Sequence, residues 1–125
     1  FYLALTNNTN RGRPGHPGVD EANPRATNRE GHVLELIEAG NDAAALTFGW
    51  NLLLVCGTPE SAGTYFGGYQ GPVSPISCPD NVAFDNSGDL WVSTDGQPGS
   101  MPAWQHRDMA CSWGPRSRSD WRRKH

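Results

Sequence analysis

Residues 78–96 constrain the fold more than any other stretch. They read Cys78-Pro-Asp-Asn-Val-Ala-Phe-Asp-Asn-Ser-Gly-Asp-Leu-Trp-Val-Ser-Thr-Asp-Gly96. Val82-Ala83-Phe84 is a short β run, and Leu90-Trp91-Val92 is a second. Between them lies an Asp/Asn/Ser/Gly cluster in which Gly88 can adopt positive φ. Two such runs joined by five turn-forming residues predict a β-hairpin. The 15 Gly and 10 Pro among 125 residues extend that expectation to the whole chain, because they favour short strands and frequent turns over helices. The predicted class is therefore all-β, with antiparallel strands.

Further strands are expected over residues 1–6, 31–38 and 45–56. The run Val33-Leu34-Glu35-Leu36-Ile37 is apolar with one charge, as in a sheet covered on both faces. Glu, Leu and Ala between 33 and 46 suit a helix, but Gly40-Asn41-Asp42 interrupts it and favours a hairpin. Residues 7–31 form a long polar connection, expected to be disordered or solvated, with a phosphate contact by Arg11 or Arg13 as the alternative. Residues 57–77, rich in Gly, Pro and Tyr, read as an excursion between sheets.

Several blocks resemble the PhoX-type alkaline phosphatases. The 78–96 run matches that family's C-P-D-N-x-A-F-D-x-x-G-x-L-W-x-x-T-D-G pattern. Leu5-Thr6-Asn7-Asn8, Ala22-Asn23-Pro24-Arg25, Asn28-Arg29-Glu30-Gly31-His32, Glu38-Ala39-Gly40-Asn41-Asp42 and Thr47-Phe48-Gly49-Trp50-Asn51 fit it too, in the same order. The resemblance implies a β-propeller. A blade takes roughly 40–50 residues and a closed ring about four to eight blades. Residues 1–100 are thus expected to be about two blades, a partial β-propeller, with Trp50 packed between blades. It implies a parent that hydrolyses phosphate esters with a calcium- and iron-containing cluster, is exported to the periplasm or beyond, and is a monomer at full length. The family's Cys- and Glu-bearing catalytic motifs have no counterpart here, so those residues are expected upstream of Phe1 and the piece alone is expected to be inactive. Alternatives on the same fold are a non-catalytic binding scaffold and a lactonase-like hydrolase.

Charge narrows the partners. Residues 1–100 carry eleven acidic side chains against four arginines. An acidic surface argues against nucleic acid, which needs a cationic one, and suits hard cations. No apolar run reaches the ~18 residues of a membrane span. Cys56, Cys78 and Cys111 match no zinc or redox spacing and read as buried or incidental thiols.

Asp80 and Asn81 are the candidate metal ligands. Adjacent carboxylate and amide oxygens suit Ca²⁺, which takes about 6–8 oxygen ligands, and at the start of an innermost strand they would face the channel. The plainer reading makes them turn caps. Asp95 could reach the same rim or merely form a turn. Residues 85–89 lack EF-hand spacing and read as a turn. His32, without a second His or Cys beside it, reads first as a hydrogen-bonded structural group. Arg25 and Arg29 suit either a phosphate clamp or loop anchoring through carbonyls. Glu35 and Glu38 are expected to face solvent.

The last 25 residues change character. Residues 101–125 hold three of the five Trp and six of the ten Lys/Arg, without alternation. They are expected to be a disordered or frameshifted tail without β structure. Trp104-Gln105-His106 read one nucleotide out allows Gly-Asn-Thr, and residues 109–113 read two out allow Gly-Leu-Phe-Val. Both are close to the family's own continuation beyond its T-D-G. The alternative is a genuine basic tail.

Overall fold

The hairpin expected over 82–92 forms, and it organises one of two sheets. The computed structural model describes residues 1–95 and 111–113. Its strands are β1 (Tyr2–Leu5), β2 (His32–Glu38), β3 (Phe48–Val55), β4 (Tyr65–Phe66), β5 (Pro79–Phe84), β6 (Leu90–Thr94) and β7 (Cys111–Trp113). One sheet has the order β1-β2-β3-β4 and the other β5-β6-β7, and every pairing is antiparallel. Among the described residues the only helical element is a single 3₁₀ turn, Ala39–Asn41. Gly40 and Asn41 there take φ of 67° and 57°, which ends β2 and reverses the chain into β3, closed by Ala39 N–H donating to the Thr47 carbonyl.

The sheets face each other across one apolar layer. Val33, Leu53, Leu54, Cys56, Ile76, Leu90 and Val92 are buried there, with Tyr2, Phe66 and Val82 against them. Each buried Val or Leu is worth about 1.5–3 kcal/mol of transfer free energy. A bulge helps build the layer. Val33 pairs with Leu54 but Leu34 pairs with Leu52, so Leu53 has no partner opposite and both it and Leu54 are buried. Tyr2 and Phe84 meet edge-to-face at 5.1 Å across the layer.

The opposite face of the first sheet is also apolar. Leu3, Leu34 and Leu52 form one row and Leu36 and Trp50 the next. Leu3, Phe48 and Trp50 are exposed there. Within the described residues Trp50 therefore does not pack between two sheets as expected; it stands on the side turned away from the second sheet.

Three expectations about connections change. Residues 7–31 are built, not disordered, and mostly solvent-facing apart from buried Asn28 and Gly31: Asn8 bridges to Asn28, Thr27 N–H donates to the Arg11 carbonyl, and Arg11 pairs with Asp20 at 3.1 Å. The 57–77 excursion contains β4, which adds two residues to the edge of β3. Cys111–Trp113 pairs with β6, so those three residues are not without β structure. Edge N–H and C=O groups of β6 accept any extended segment, whatever its side-chain pattern. The remaining calls for the tail, including the frame of 101–110, lie outside the described residues.

Candidate functional site

The candidate site lies where β1 leaves its sheet and β5 enters its own. Gly31 makes that junction. Its φ is 78°, and a Cβ there would lie 2.3 Å from the Thr6 carbonyl oxygen, 2.5 Å from that of Leu5 and 2.8 Å from Pro79 Cδ. Only glycine lets the turn before β2 lie against both strands. Tyr2 meets Phe84 at the other end, so β1 and β5 run in opposite senses and Thr6-Asn7-Asn8 ends beside the mouth of β5.

Cys78 ties this mouth together. Its N–H donates to the Glu30 carbonyl at 2.7 Å, and its carbonyl accepts the Asp95 N–H at 2.8 Å. Its thiol donates to the Arg29 carbonyl at 3.5 Å. These bonds hold Cys78 at φ 51°, a left-handed backbone unusual for a side chain bearing a Cβ. Backbone held in such regions clusters at functional sites.

Asp80 and Asn81 come next. Pro79 pairs with Thr94 but Val82 pairs with Val92, so the two residues occupy a bulge. Bulges re-aim side chains, often beside active sites. Both residues are exposed. Asn81 Nδ2 donates to Asp80 Oδ2 at 2.5 Å, so the amide nitrogen faces the carboxylate and the amide oxygen keeps its acceptor capacity. The pair thus presents oxygen donors suited to a hard cation. Among the described residues no three His, Cys, Asp or Glu side chains gather at one point. A cation held here needs ligands from outside that set.

The other candidates separate cleanly. Arg25 is not a phosphate clamp: Nη1 donates to the Cys56 carbonyl at 2.5 Å and Nη2 to the Ala62 carbonyl and Thr64 Oγ1, with Glu30 3.5 Å away. Its planar fork is spent on holding the loops. Arg11 is committed to Asp20, whose carboxyl the Asn23 amide and, more weakly, Arg11 hold below the usual range. Arg29 is exposed at the junction. His32 is buried, and its Nδ1 lies 3.0 Å from Asn28 Nδ2. Asp95 sits at the mouth through its backbone.

Residues 85–89 form the expected turn. Asp85 accepts from the Ser87 and Asp89 N–H groups and from the Trp91 indole at 2.9 Å. The indole bond, followed by the backbone bonds, lowers its pKa.

Glu35 departs from expectation. It is half-buried, accepts from the Tyr2 hydroxyl at 2.8 Å and the Asn51 amide at 3.3 Å, and borders an open cleft with Pro24, Asn51 and Tyr65. Alternation was the available signal, since Glu35 shares a face with buried Val33.

Comparison with known proteins places this geometry in a family. The model of the family described as alkaline phosphatase PhoX matches residues 1–109. The chain belongs to the PhoX alkaline phosphatase family. Among solved structures, Pseudomonas fluorescens PhoX in complex with vanadate, a transition state analogue, is similar at 36% identity and a TM-score of 0.69. The match covers 89% of this chain and 20% of that PhoX chain. Among curated proteins none matches. The PhoX family model extends through residue 109, past the point at which composition changes.

Proposed function

We propose that this chain forms one wall of the metal channel of a PhoX-type phosphatase that hydrolyses phosphate esters. The observation that carries the reading is the exposed Asp80–Asn81 pair, set in a bulge at the mouth of β5 in a PhoX family chain. Two antiparallel meander sheets packed face to face, with further apolar surface on the first, support a β-propeller as the parent fold. Calcium is the cation that fits Asp80 and Asn81, through the Asp80 carboxylate and the Asn81 amide oxygen. Iron, an exported location and a monomeric parent are proposed on the family resemblance alone.

Bound cations would neutralise phosphate oxygens and the charge that builds up in the transition state. The chain's own part is positional. Cys78 and Gly31 fix where β5 begins, the bulge turns Asp80 outward, and Asn81 orients its carboxylate. Nothing in the described residues supplies a nucleophile and base together. The 125-residue chain alone is therefore expected to leave p-nitrophenyl phosphate intact with Ca²⁺ and iron present.

The test compares two carboxylates in a PhoX-length polypeptide carrying this segment. Asp80→Ala should weaken calcium binding and hydrolysis at least tenfold more than Asp85→Ala. Equal effects of the two in a calcium titration would return Asp80 to a turn-capping role.

A further inference from the structure

The buried groups behind the mouth of β5 form a chain of contacts that no metal role uses. It starts at His32, which is 2% exposed. The Gly31 N–H donates to Asn28 Oδ1 at 3.0 Å, and this fixes the orientation of the Asn28 amide. Asn28 Nδ2 must then donate to His32 Nδ1 at 3.0 Å. Nδ1 is therefore a lone pair, and the neutral ring carries its proton on Nε2. Asn28, itself 3% exposed, thus links the imidazole to the turn over residues 28–31. That turn meets the mouth of β5 at Pro79 through Gly31 and at Cys78 through the Glu30 and Arg29 carbonyls.

We propose that His32 is a positioning residue: through Asn28 and the turn it closes, its imidazole fixes the strand mouth that carries Asp80 and Asn81. A proton on Nδ1 would oppose the Asn28 NH₂ group donor to donor. Asn28 cannot turn over without abandoning the Gly31 N–H. Acid therefore loosens the turn, and the loosening reaches Cys78 and Asp80.

The surroundings oppose that proton at neutral pH. Burial is the largest cause that lowers the pKa of His32, and the Arg25 and Arg11 guanidiniums add to it. The Ala22 carbonyl and Asp20 act the other way. From the flanking strands the ring's cross-strand neighbours are apolar, Leu5 on β1 and Val55 on β3. With the folded pKa lowered, the stabilisation is present above the unfolded value and is lost as pH falls.

This inference rests on the metal reading only for the importance of Asp80, so an NMR experiment without metal tests it apart from that reading. The 125-residue chain is titrated with acid while the His32 ring nitrogens and the amides of Glu30, Cys78 and Asp80 are followed. The Nε2–H tautomer is expected at neutral pH. The three amides should shift with the ring at one shared midpoint, below the ordinary histidine range. His32→Asn keeps an acceptor near the Nδ1 position but cannot titrate, so that inflection should vanish. A ring that takes up its proton while the Cys78 and Asp80 amides stay still overturns the proposal, and this readout needs only the wild-type chain. An inflection unchanged in His32→Asn overturns it as well. The other reading is tested apart, by the calcium titration of Asp80→Ala and Asp85→Ala in the PhoX-length polypeptide: equal effects there would remove the metal site and leave His32 as the group that sets the turn.

Discussion

Asp85 and Asp80 show how little residue type alone says about role. Both are exposed aspartates in the same hairpin. Asp85 is bound to two backbone N–H groups and an indole, whereas the Asp80 side chain meets its own neighbour. Asp85 is therefore less replaceable as a turn residue than the sequence suggests. Asp85→Ala should lower the melting temperature more than Asp80→Ala in metal-free buffer. The lowered pKa of Asp85 gives the sign with pH: its contribution is present above the ordinary carboxylate value and lost as pH falls through the folded one. The gap in melting temperature between wild type and Asp85→Ala should narrow from pH 7 toward pH 3. A gap that stays constant would mean the carboxylate charge does not matter there.

At the scale of elements, the junction of β1, β2 and β5 depends on a missing side chain. Gly31 and Gly40 both have φ near +70°, at 78° and 67°. An alanine at either costs roughly 1–2 kcal/mol in left-handed backbone strain. Around Gly40 nothing lies within 4 Å, whereas around Gly31 two backbone carbonyls would be struck. Gly31→Ala should therefore destabilise the chain clearly more than Gly40→Ala, read as the difference in urea midpoints; matching midpoints would show that the junction can open without loss. Strand positions were largely legible, because the turn residues around 40 and 85–89 bound apolar runs. β4 and β7 were not, because short edge strands form from backbone pairing and carry no side-chain pattern. The position of β3 was anticipated, but the bulge that buries Leu53 beside Leu54 depends on how β2 aligns with it.

At the scale of the whole molecule, the described residues leave one side of the first sheet uncovered. Leu3, Phe48 and Trp50 are exposed on the face away from the second sheet, beside half-buried Leu34, Leu36 and Leu52. Contiguous apolar surface of this kind drives association. The isolated chain should self-associate as its concentration rises, seen as an increasing sedimentation coefficient. Phe48→Lys with Trp50→Lys should hold it at the monomer value. A wild-type chain that stays monomeric at high concentration would show that this face needs no cover.

The sequence by itself determined the family, the all-β class, the β5–β6 hairpin and the interest of Asp80 and Asn81. Those properties reside in local chemistry: turn residues with special φ, alternation along a strand, and a motif contiguous in the chain. Tertiary structure alone decided the roles of the remaining polar groups. Arg25 became a loop anchor because the Cys56 and Ala62 carbonyls, more than thirty residues away, come within reach of its guanidinium. Glu35 found Tyr2 and Asn51 across two neighbouring strands, and Cys78 became the tie between a turn and two strand ends. A hydrogen bond forms only when folding brings donor and acceptor to about 3 Å, and contacts so distant along the chain leave no local pattern in the residues that make them.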